Sequence, residues 1–588
     1  MYRWSIVVFL AALACNGADD DTSMDTEDTE ETGETDDTDL PDSDGDGVTD
    51  DIDCNDNNDD VYPGADELCN GLDDDCNDIA DDDPVDALTF YEDADGDGFG
   101  DPDSPVQACA IDDGLSENDD DCDPANADIH PDAEDAPCDG IDNDCDTVID
   151  PNNTLITDDE SLQTAIDNAP DGEALCLAEG IYSNGAYVDH DLTIIGEGGV
   201  IIRGNGDYAL SVSGADVHIE GVTLTWFGRA IDVQGGSVTA DNIEITGLQI
   251  NGSPEVISGA AVRLLDGALN AQDFHVTDLS FDEDAPFEGL FYVDGTSELT
   301  LTDFEIADNT IATDGAATGI FFTQGFPIFD LSDGKIANNT LSSATSSSNL
   351  TDVTGDWQGV NVVANSVASG TASGTLALVV GEWNASHLKI ADNSTVAATH
   401  AGVYVYTATA TITNSIFSGN SQTGGNYTYG WFMVRGSSLN LTNVSIVANL
   451  QTSYIYSGAL FYANDWSGNT SISITNTAIT ENEFGETIPD EGEADILLLS
   501  YGAVSLDSNF YHGNSDDSMF YASNNSQVTE SEEGADYVDV TAEQTADWDL
   551  HLDDGSPLID AGNADILDAD GTQSDIGAFG GPLGVWLE

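Results

Sequence analysis

Residues 438–445 read SLNLTNVS, with Ile446 and Asn449 just beyond. Apolar and polar side chains alternate along this stretch, the period-two pattern of a strand with one buried face. The same unit recurs along the chain: a β-like stretch leads to an apolar residue, and Asn stands three residues further on. Examples are Ile306/Asn309, Ile336/Asn339, Ile390/Asn393, Phe417/Asn420, Ile446/Asn449, Ile479/Asn482 and Tyr511/Asn514. Most neighbouring units lie about thirty residues apart, and one gap is nearly double, as though a coil had lost its signature. Three residues before the apolar one there is usually Asp or Asn: Asp273, Asp303, Asp333, Asn414, Asn443 and Asn476. An apolar residue often lies seven before it, as at Val238, Leu269, Leu299, Leu439 and Ile472. No long helical pattern separates the strands, so crossover helices are excluded and successive strands must stack by coiling. About fourteen coils at a 4.8 Å spacing make a rod of roughly 65 Å. An Asn in every coil points to amides stacked from turn to turn rather than to a catalytic group.

Outward from this array, charge density falls at about residue 152. Residues 161–168 (SLQTAIDN) then read as a short amphipathic helix with Leu162, Ala165 and Ile166 on one face, within a cap over 152–169. Strands begin in 172–182 (GEALCLAEGIY), and the array is assigned to 170–588. A helix covering the first coil resembles the start of pectate-lyase-like right-handed parallel β-helices, whose open core end must be covered. The resemblance implies an all-β chain. Residues 552–582 resemble the closing segment of many bacterial β-helix proteins. There Asp568, Asp570 and Asp575 form either a structural turn or a further cation site.

Residues 42–151 have a different rhythm. Four stretches place an oxygen ligand at every second position: Asp42, Asp44, Asp46 and Asp50; Asp73, Asp75, Asn77 and Asp81; Asp93, Asp95, Asp97 and Asp101; Asp142, Asp144, Asp146 and Asp150. Each has an apolar residue at its seventh position, namely Val48, Ile79, Phe99 and Val148. In a calcium loop that residue offers its backbone carbonyl while its side chain turns inward to pack. Gly47 and Gly98 sit at the sixth position, where such a loop turns sharply.

Residues 42–54 (DSDGDGVTDDIDC) resemble the thrombospondin type 3 calcium repeat, with Asp53 at the twelfth position of an EF-hand-style loop. The wider units resemble the Cys/Asp-rich metal-binding motif of bacterial surface proteins. Residues 54–81 and 122–150 are two copies, aligned through Tyr62-Pro63 with His130-Pro131 and Cys69-Asn70-Gly71 with Cys138-Asp139-Gly140. Three of the four loops lack an acid at the twelfth position, and flanking helices are not evident. The implied cofactor is calcium. Copper is the weaker alternative, since the segment offers His130 as its one imidazole and no Met. Eight cysteines follow Cys15, an even number that favours disulfides in an oxidising compartment. The common spacing of Cys69/Cys76 and Cys138/Cys145 predicts two equivalent small bridges. Cys109 with Cys122 makes a third pair, and Cys54 and Cys176 remain by elimination.

The chain carries 116 acidic residues against seven basic ones, a formal charge of −109. The bases are Arg3, Arg203, Arg229, Arg263, Lys335, Lys389 and Arg435. Such a field repels phosphates, so a nucleic-acid role is excluded, and contact with a membrane is expected only through an anchor. Arg3 and the apolar stretch 6–14 form an export signal too short to span a bilayer as a mature helix. It ends in Ala12-Leu13-Ala14-Cys15, which resembles a bacterial lipobox with Ala at its first position where Leu is usual. Residues 1–15 are thus read as a lipoprotein signal with Cys15 lipidated, and the acidic, core-less stretch 16–41 as a disordered tether. The expected location is the outer membrane, facing the cell surface or the periplasm.

Three functional classes stay open. A binding or adhesive rod finds support in an aromatic region, including Tyr404, Tyr406, Tyr429, Arg435 and Tyr462, where exposed rings would bind sugars. Alternation in Val403-Tyr404-Val405-Tyr406 turns both Val inward and both Tyr outward. In the next coil it sends Phe432 and Val434 inward and Met433 and Arg435 outward. A polysaccharide lyase or hydrolase is the second class, but Gly-His-Gly and Arg-x-Lys signatures are missing and basic residues are few. A passive structural rod that needs no site beyond calcium is the third.

Overall fold

The computed structural model describes residues 41–133, 135, 138–146, 153–156, 162–225, 228–247, 261–283, 287–313, 319–325, 327–343, 349–369, 375–396, 403–423, 430–452, 459–464, 469–484, 497–501, 503–512, 514, 528–530, 537–539, 549–552, 556–568 and 572–579. The chain divides into two compact units, residues 1–132 and 133–588. Cys15, the tether up to residue 40, Val148, Asp150, Tyr429 and Asp570 lie outside the described residues.

The described part of the first unit runs mostly through turns, because its Asp-rich sequence has few apolar side chains to bury. Its regular structure is a small antiparallel sheet, in which Leu88–Glu92 pairs with Pro105–Ala108 and with Leu115–Ser116. Val61, Phe90 and Ile129 are its buried apolar side chains. So small a core gains from covalent staples, and disulfides supply them.

The staples are not the ones that the spacing predicts. Cys54 pairs with Cys76, Cys69 with Cys109, and Cys138 with Cys176. Cys122 and Cys145 are also disulfide-bonded. The pairs Cys69–Cys76, Cys138–Cys145 and Cys109–Cys122 are therefore corrected, and Cys54 and Cys176 do not remain for each other. Local backbone geometry explains the change. The N–H groups of Asn70 and Gly71 are held by Asp81 and that of Cys69 by Asp86, which anchors Cys69 away from its own loop. Cys76 sits inside that loop in the left-handed region, at φ 60°, and projects toward Cys54 instead.

The second unit is a parallel β-helix. Its entrance carries the helix Leu162–Asn168, with Leu162 and Ile166 buried and Ala165 packed against the core, so the cap lies where the amphipathic pattern predicts it. Parallel register then runs through Thr154, Leu175, Ile194, Ile219, Ala240, Ala271, Leu301, Leu331, Trp357, Ala385, Ile412, Leu441, Ile474 and Leu506, fourteen positions stacked one above another. Leu439 and Leu441 of the opening stretch point inward, as their alternation requires. A separate parallel sheet of eight short strands, from Ser280–Glu283 to Glu483–Phe484, forms another face.

The Asp/Asn positions are bends. Asp273, Asp303, Asp333, Asn414, Asn443 and Asn476 all hold φ between 47° and 55°. This left-handed region costs L-residues roughly 1–2 kcal/mol, and Asn and Asp tolerate it best because their short side chains bond locally. A second bend follows five residues later, at Asp308, Asn338, Ala364, Asp392, Ala448 and Glu481, with φ of 51° to 58°. The recurring Asn comes immediately after it and points inward.

Those Asn side chains form one continuous ladder. Asn309 Nδ2 donates to Asn339 Oδ1 at 2.8 Å, and the pattern repeats through Asn365, Asn393, Asn420, Asn449, Asn482 and Asn514 at 2.9–3.0 Å. Each acceptor oxygen also takes the backbone N–H of the preceding ladder Asn. The second Nδ2 hydrogen goes to the carbonyl of an apolar strand residue, as from Asn420 to Ile390. From Asn339 to Asn482 both Nδ2 hydrogens and both acceptor sites of each buried amide are thus used. The apparently missing coil is present: Val362 and Asn365 fill the long gap, with spacings of 26 and 28 residues to the neighbouring ladder Asn. Its first bend is Gly359, at φ 66°, which supplies the left-handed geometry without an Asx side chain.

The closing segment packs along the outside of the late coils. Leu550 and Ala578 cover Ile416 and Val447, and Leu558 and Ile576 cover Ala478 and Phe510. This is why Ser438–Val447 is buried on both faces over its last five residues.

Candidate metal centres

The loops beginning at Asp42 and Asp93 share one hydrogen-bond plan. In the first, the Asp42 carboxylate accepts the N–H groups of Gly45 and Gly47, and Asp46 accepts that of Val48. In the other, Asp93 accepts from Gly96 and Gly98, and Asp97 from Phe99. All four glycines have φ between 89° and 100°, so the chain curls twice and turns its carboxylates to one side. Asp42, Asp44 and Asp46 converge with ligand oxygens within 4.8 Å of one another, and so do Asp93, Asp95 and Asp97. One carboxylate oxygen, Oδ2, of each of Asp44, Asp46, Asp95 and Asp97 is shielded from solvent with no hydrogen-bond partner. A carboxylate oxygen so placed is costly unless a cation meets it.

The other two loops reach a similar end differently. Asp73 accepts the N–H groups of Asn77 and Asp78, and Asp142 that of Asp146. The fourth position, glycine in the first pair, is here Cys76 or Cys145, with φ of 60° and 57°. Asp78 supplies the left-handed sixth position at φ 72°. Converging acids come partly from outside the regular spacing: Glu67, Asp75 and Asp82 in one, Asp135, Asp142 and Asp144 in the other. Glu67 is buried and accepts the N–H groups of Asp74, Asp75 and Asp81, while Asp135 accepts those of Asn143 and Asp144. Burial first, then neighbouring Asp135, Asp146 and Asp142, pushes the Asp144 carboxyl above its ordinary value.

Several expected ligands are engaged elsewhere. Asp50 accepts from the backbone and hydroxyl of Ser43, Asp81 from Asn70 and Gly71, and Asp101 from Asp103 and Ser104. The Ser104 hydroxyl, followed by the Asp103 N–H, holds the Asp101 carboxyl below its usual range. Asn77 accepts the Ile79 N–H, the bond that Asp46 and Asp97 make in the first pair, and one oxygen of Asp53 accepts the N–H of Asn55, which leaves its other oxygen for a ligand role. Among the apolar seventh residues, Phe99 stacks on His130 with ring centroids 5.1 Å apart, and Val48 is half-buried. Ile79, expected to pack inward, is 58% exposed, since the groups around its loop are carboxylates and amides that offer no apolar contact. Asp56, Glu67, Asp82, Asp121 and Asp135 escape a reading based on every-second-residue spacing, because each folds in from outside its loop.

On the β-helix, Val403, Val405, Phe432 and Val434 face the core. Tyr404, Met433 and Tyr462 stand in register on the outer face and pack on one another, which leaves Met433 and Tyr462 buried. Tyr406 is 43% exposed, with the Arg435 guanidinium 5.9 Å from its ring centre. An open groove of about 410 Å³ lies elsewhere on the outer surface, lined by Asp330, Asp356, Gln358, Asn384, Thr411 and Thr413 among others. Asp330 and Asp356 occupy the same register on adjacent coils, and Asn384 donates to Asp356 at 2.8 Å. Two basic side chains pair with acids one coil away: Arg263 clasps buried Asp232 through two bonds of 2.6 and 2.7 Å, and Lys335 meets Glu305 at 3.2 Å. At the closing segment, Asp568 accepts the Asp575 N–H and Asp575 accepts that of Asp560, the arrangement of a structural turn.

A family model described as "Putative metal-binding motif", and named for copper binding, matches residues 53–82 and 121–151. No curated protein sequence matches the chain. Among solved structures the chain is similar to the A-module of a mannuronan C-5 epimerase, AlgE6, from Azotobacter vinelandii, at 14% identity over 63% of this chain and 93% of that one, with a TM-score of 0.28. It is also similar to a GH87 α-1,3-glucanase catalytic domain in complex with nigerose (14% identity, 66% and 69% covered, TM-score 0.28) and to pectate lyase Pel9A (12%, 76% and 94%, TM-score 0.25). The chain thus contains two copies of the motif that this family model describes, followed by a parallel β-helix.

Proposed function

We propose that this is an exported, calcium-loaded surface lipoprotein whose β-helix serves as a binding or structural rod. The observation that carries the metal is the set of partnerless, shielded oxygens on Asp44, Asp46, Asp95 and Asp97. All the converging groups around them are hard oxygen donors, which suit calcium, whereas copper favours imidazole or sulfur. Extracellular sites of this chemistry bind at ~10⁻⁴–10⁻³ M. Calorimetric titration of the chelator-treated protein with calcium and, separately, with copper tests the reading. Heat from calcium in that range supports it, and heat from copper alone overturns it. Lipidation at Cys15 supplies the anchor, so Cys15→Ala should move the protein from the membrane to the soluble exported fraction. Glycan is the ligand class for the rod, favoured by exposed Tyr406 beside Arg435 and by the polar groove.

A second reading, polysaccharide cleavage, is favoured by the Asp330/Asp356 pair in that groove. Carboxylates on adjacent coils suit acid and base roles in glycoside hydrolysis. A reducing-sugar assay run beside glycan retention separates the two. Release of sugar ends that Asp356→Asn abolishes supports cleavage, and retention without release supports the binding rod.

A further inference from the structure

The loop at Asp93 lacks an acid of its own where the loop at Asp42 has one. Counting from the first Asp, the twelfth residue is Asp53 in the earlier loop and Ser104 in the later. Ser104 is occupied in any case, its hydroxyl donating to Asp101 at 2.7 Å. Yet the fold brings another carboxylate to the equivalent place. In the first loop, the Asp53 N–H donates to the carbonyl of the eighth residue, Thr49, at 3.1 Å. In the later loop the eighth residue is Gly100, and its carbonyl accepts the N–H of Asp121 at 3.3 Å. The side chains match as well: Asp53 Oδ1 accepts the N–H of Asn55, and Asp121 Oδ1 that of Asp123, both at 2.9 Å. Asp121 thus stands to its loop as Asp53 stands to the first, with residues 101–120 looped out between.

Asp121 is also buried, at 2% exposure, and its second oxygen, Oδ2, has no hydrogen-bond partner. Asp95 and Asp97 likewise have shielded second oxygens without a partner, in the loop whose Gly100 carbonyl holds the Asp121 N–H. A buried carboxylate beside two others is unfavourable unless a cation is shared among them.

We propose that Asp121 is a ligand of the ion held by Asp93, Asp95 and Asp97, completing a discontinuous calcium site. The ligand would be a hard divalent cation of calcium's size, since every group offered is oxygen. The proposal rests on the calcium reading above and adds a ligand that regular spacing does not contain. Bound there, the ion would fasten the start of the second motif copy to the loop on the far side of the small antiparallel sheet.

The test uses the full chain, calcium alone as the probe, and Asp121→Asn beside Asp95→Asn. Asp121→Asn should weaken one calcium-binding event at least tenfold and leave the others unchanged. Without metal, the same variant should melt at the same temperature as the parent or higher, because one of four neighbouring carboxylates has lost its charge. With saturating calcium it should melt lower. A purely structural Asp121 would lower stability with and without metal, and that result overturns the proposal. Intact binding in Asp121→Asn with loss in Asp95→Asn overturns it too, while the calcium reading stands. Intact binding in both variants removes the calcium reading of this loop and the proposal together.

Discussion

The early and late bends of the β-helix do the same backbone work with different side chains. Asp273, Asp303 and Asp333 are exposed, whereas Asn414, Asn443 and Asn476 are 0–3% exposed beneath the closing segment. Both sets hold the left-handed conformation, so the choice between them is not about the turn. Where water covers the bend, a charge is solvated and Asp serves. Where protein covers it, an amide can both donate and accept: Asn476 donates to Asn443 and to Ser574 while its oxygen accepts the N–H of Asn563. A carboxylate there would lack the donor and carry an uncompensated charge. The Asp-rich loops push the contrast further, since one shielded oxygen each of Asp44, Asp46, Asp95 and Asp97 finds no donor, a place that a cation would fill.

The broadest way to break this contrast is chelation. Removing calcium should expose amides across residues 42–146 to hydrogen exchange and leave the interior strands of the β-helix protected. Equal loss of protection in both would mean that the loops are not held by ions. A narrower attack is Asn443→Asp, which should destabilise the β-helix by roughly 3 kcal/mol at pH 8 and recover as acid neutralises the new group. The mirror change, Asp303→Asn at an exposed bend, should stay within about 0.5 kcal/mol. Denaturant unfolding at two pH values reads both, and equal effects would show that burial does not choose the residue.

The inner ladder offers the next test. Asn420→Ala and Asn449→Ala should each cost about 1–3 kcal/mol, because each leaves buried partners unsatisfied. The double mutant should cost less than their sum, since the two share a network. Silent single mutants would mean that the amide chain contributes nothing to stability. The smallest effect is expected at Asp575, whose carboxyl is pushed up to about 6 by burial first and then by Asp568 and Asp560. A raised acid favours the folded state below its unfolded pKa, and that contribution is lost as pH rises through 6. Asp575→Asn should therefore flatten the stability profile between about pH 4 and 6, and an unchanged slope would contradict it.

Much of the architecture was legible because strands and Asp-rich loops both write themselves as short periods. Leu439 and Leu441 announce an inward face, and Asp42, Asp44 and Asp46 announce converging oxygens. What stayed hidden depends on partners far apart in the chain. Cys76 could not be matched with Cys54 from spacing, since the left-handed turn that aims it is set by the whole loop. Asp121 was invisible because residues 101–120, with two strands that flank Leu88–Glu92, separate it from the loop whose Gly100 it bonds. The coil at Val362 was overlooked because Gly359, rather than Asp or Asn, makes its bend. The cover over Val447 involves Ala578, more than a hundred residues away, and no local pattern records it.

The Cys138–Cys176 bridge has a mechanical consequence. It joins the turn just before the Asp142 loop to Glu173–Leu177, a strand at the base of the β-helix. A pull that reaches Cys138 from the N-terminal side passes through sulfur into that strand. The segment between the two cysteines, with the Asp142 loop, is closed into a ring whose ends stay 5.5 Å apart at Cα whether or not the loop holds an ion. Cys145 inside that ring is itself disulfide-bonded, so this loop is tied from within as well, whereas the loop at Asp42 lies outside the Cys54–Cys76, Cys69–Cys109 and Cys138–Cys176 rings.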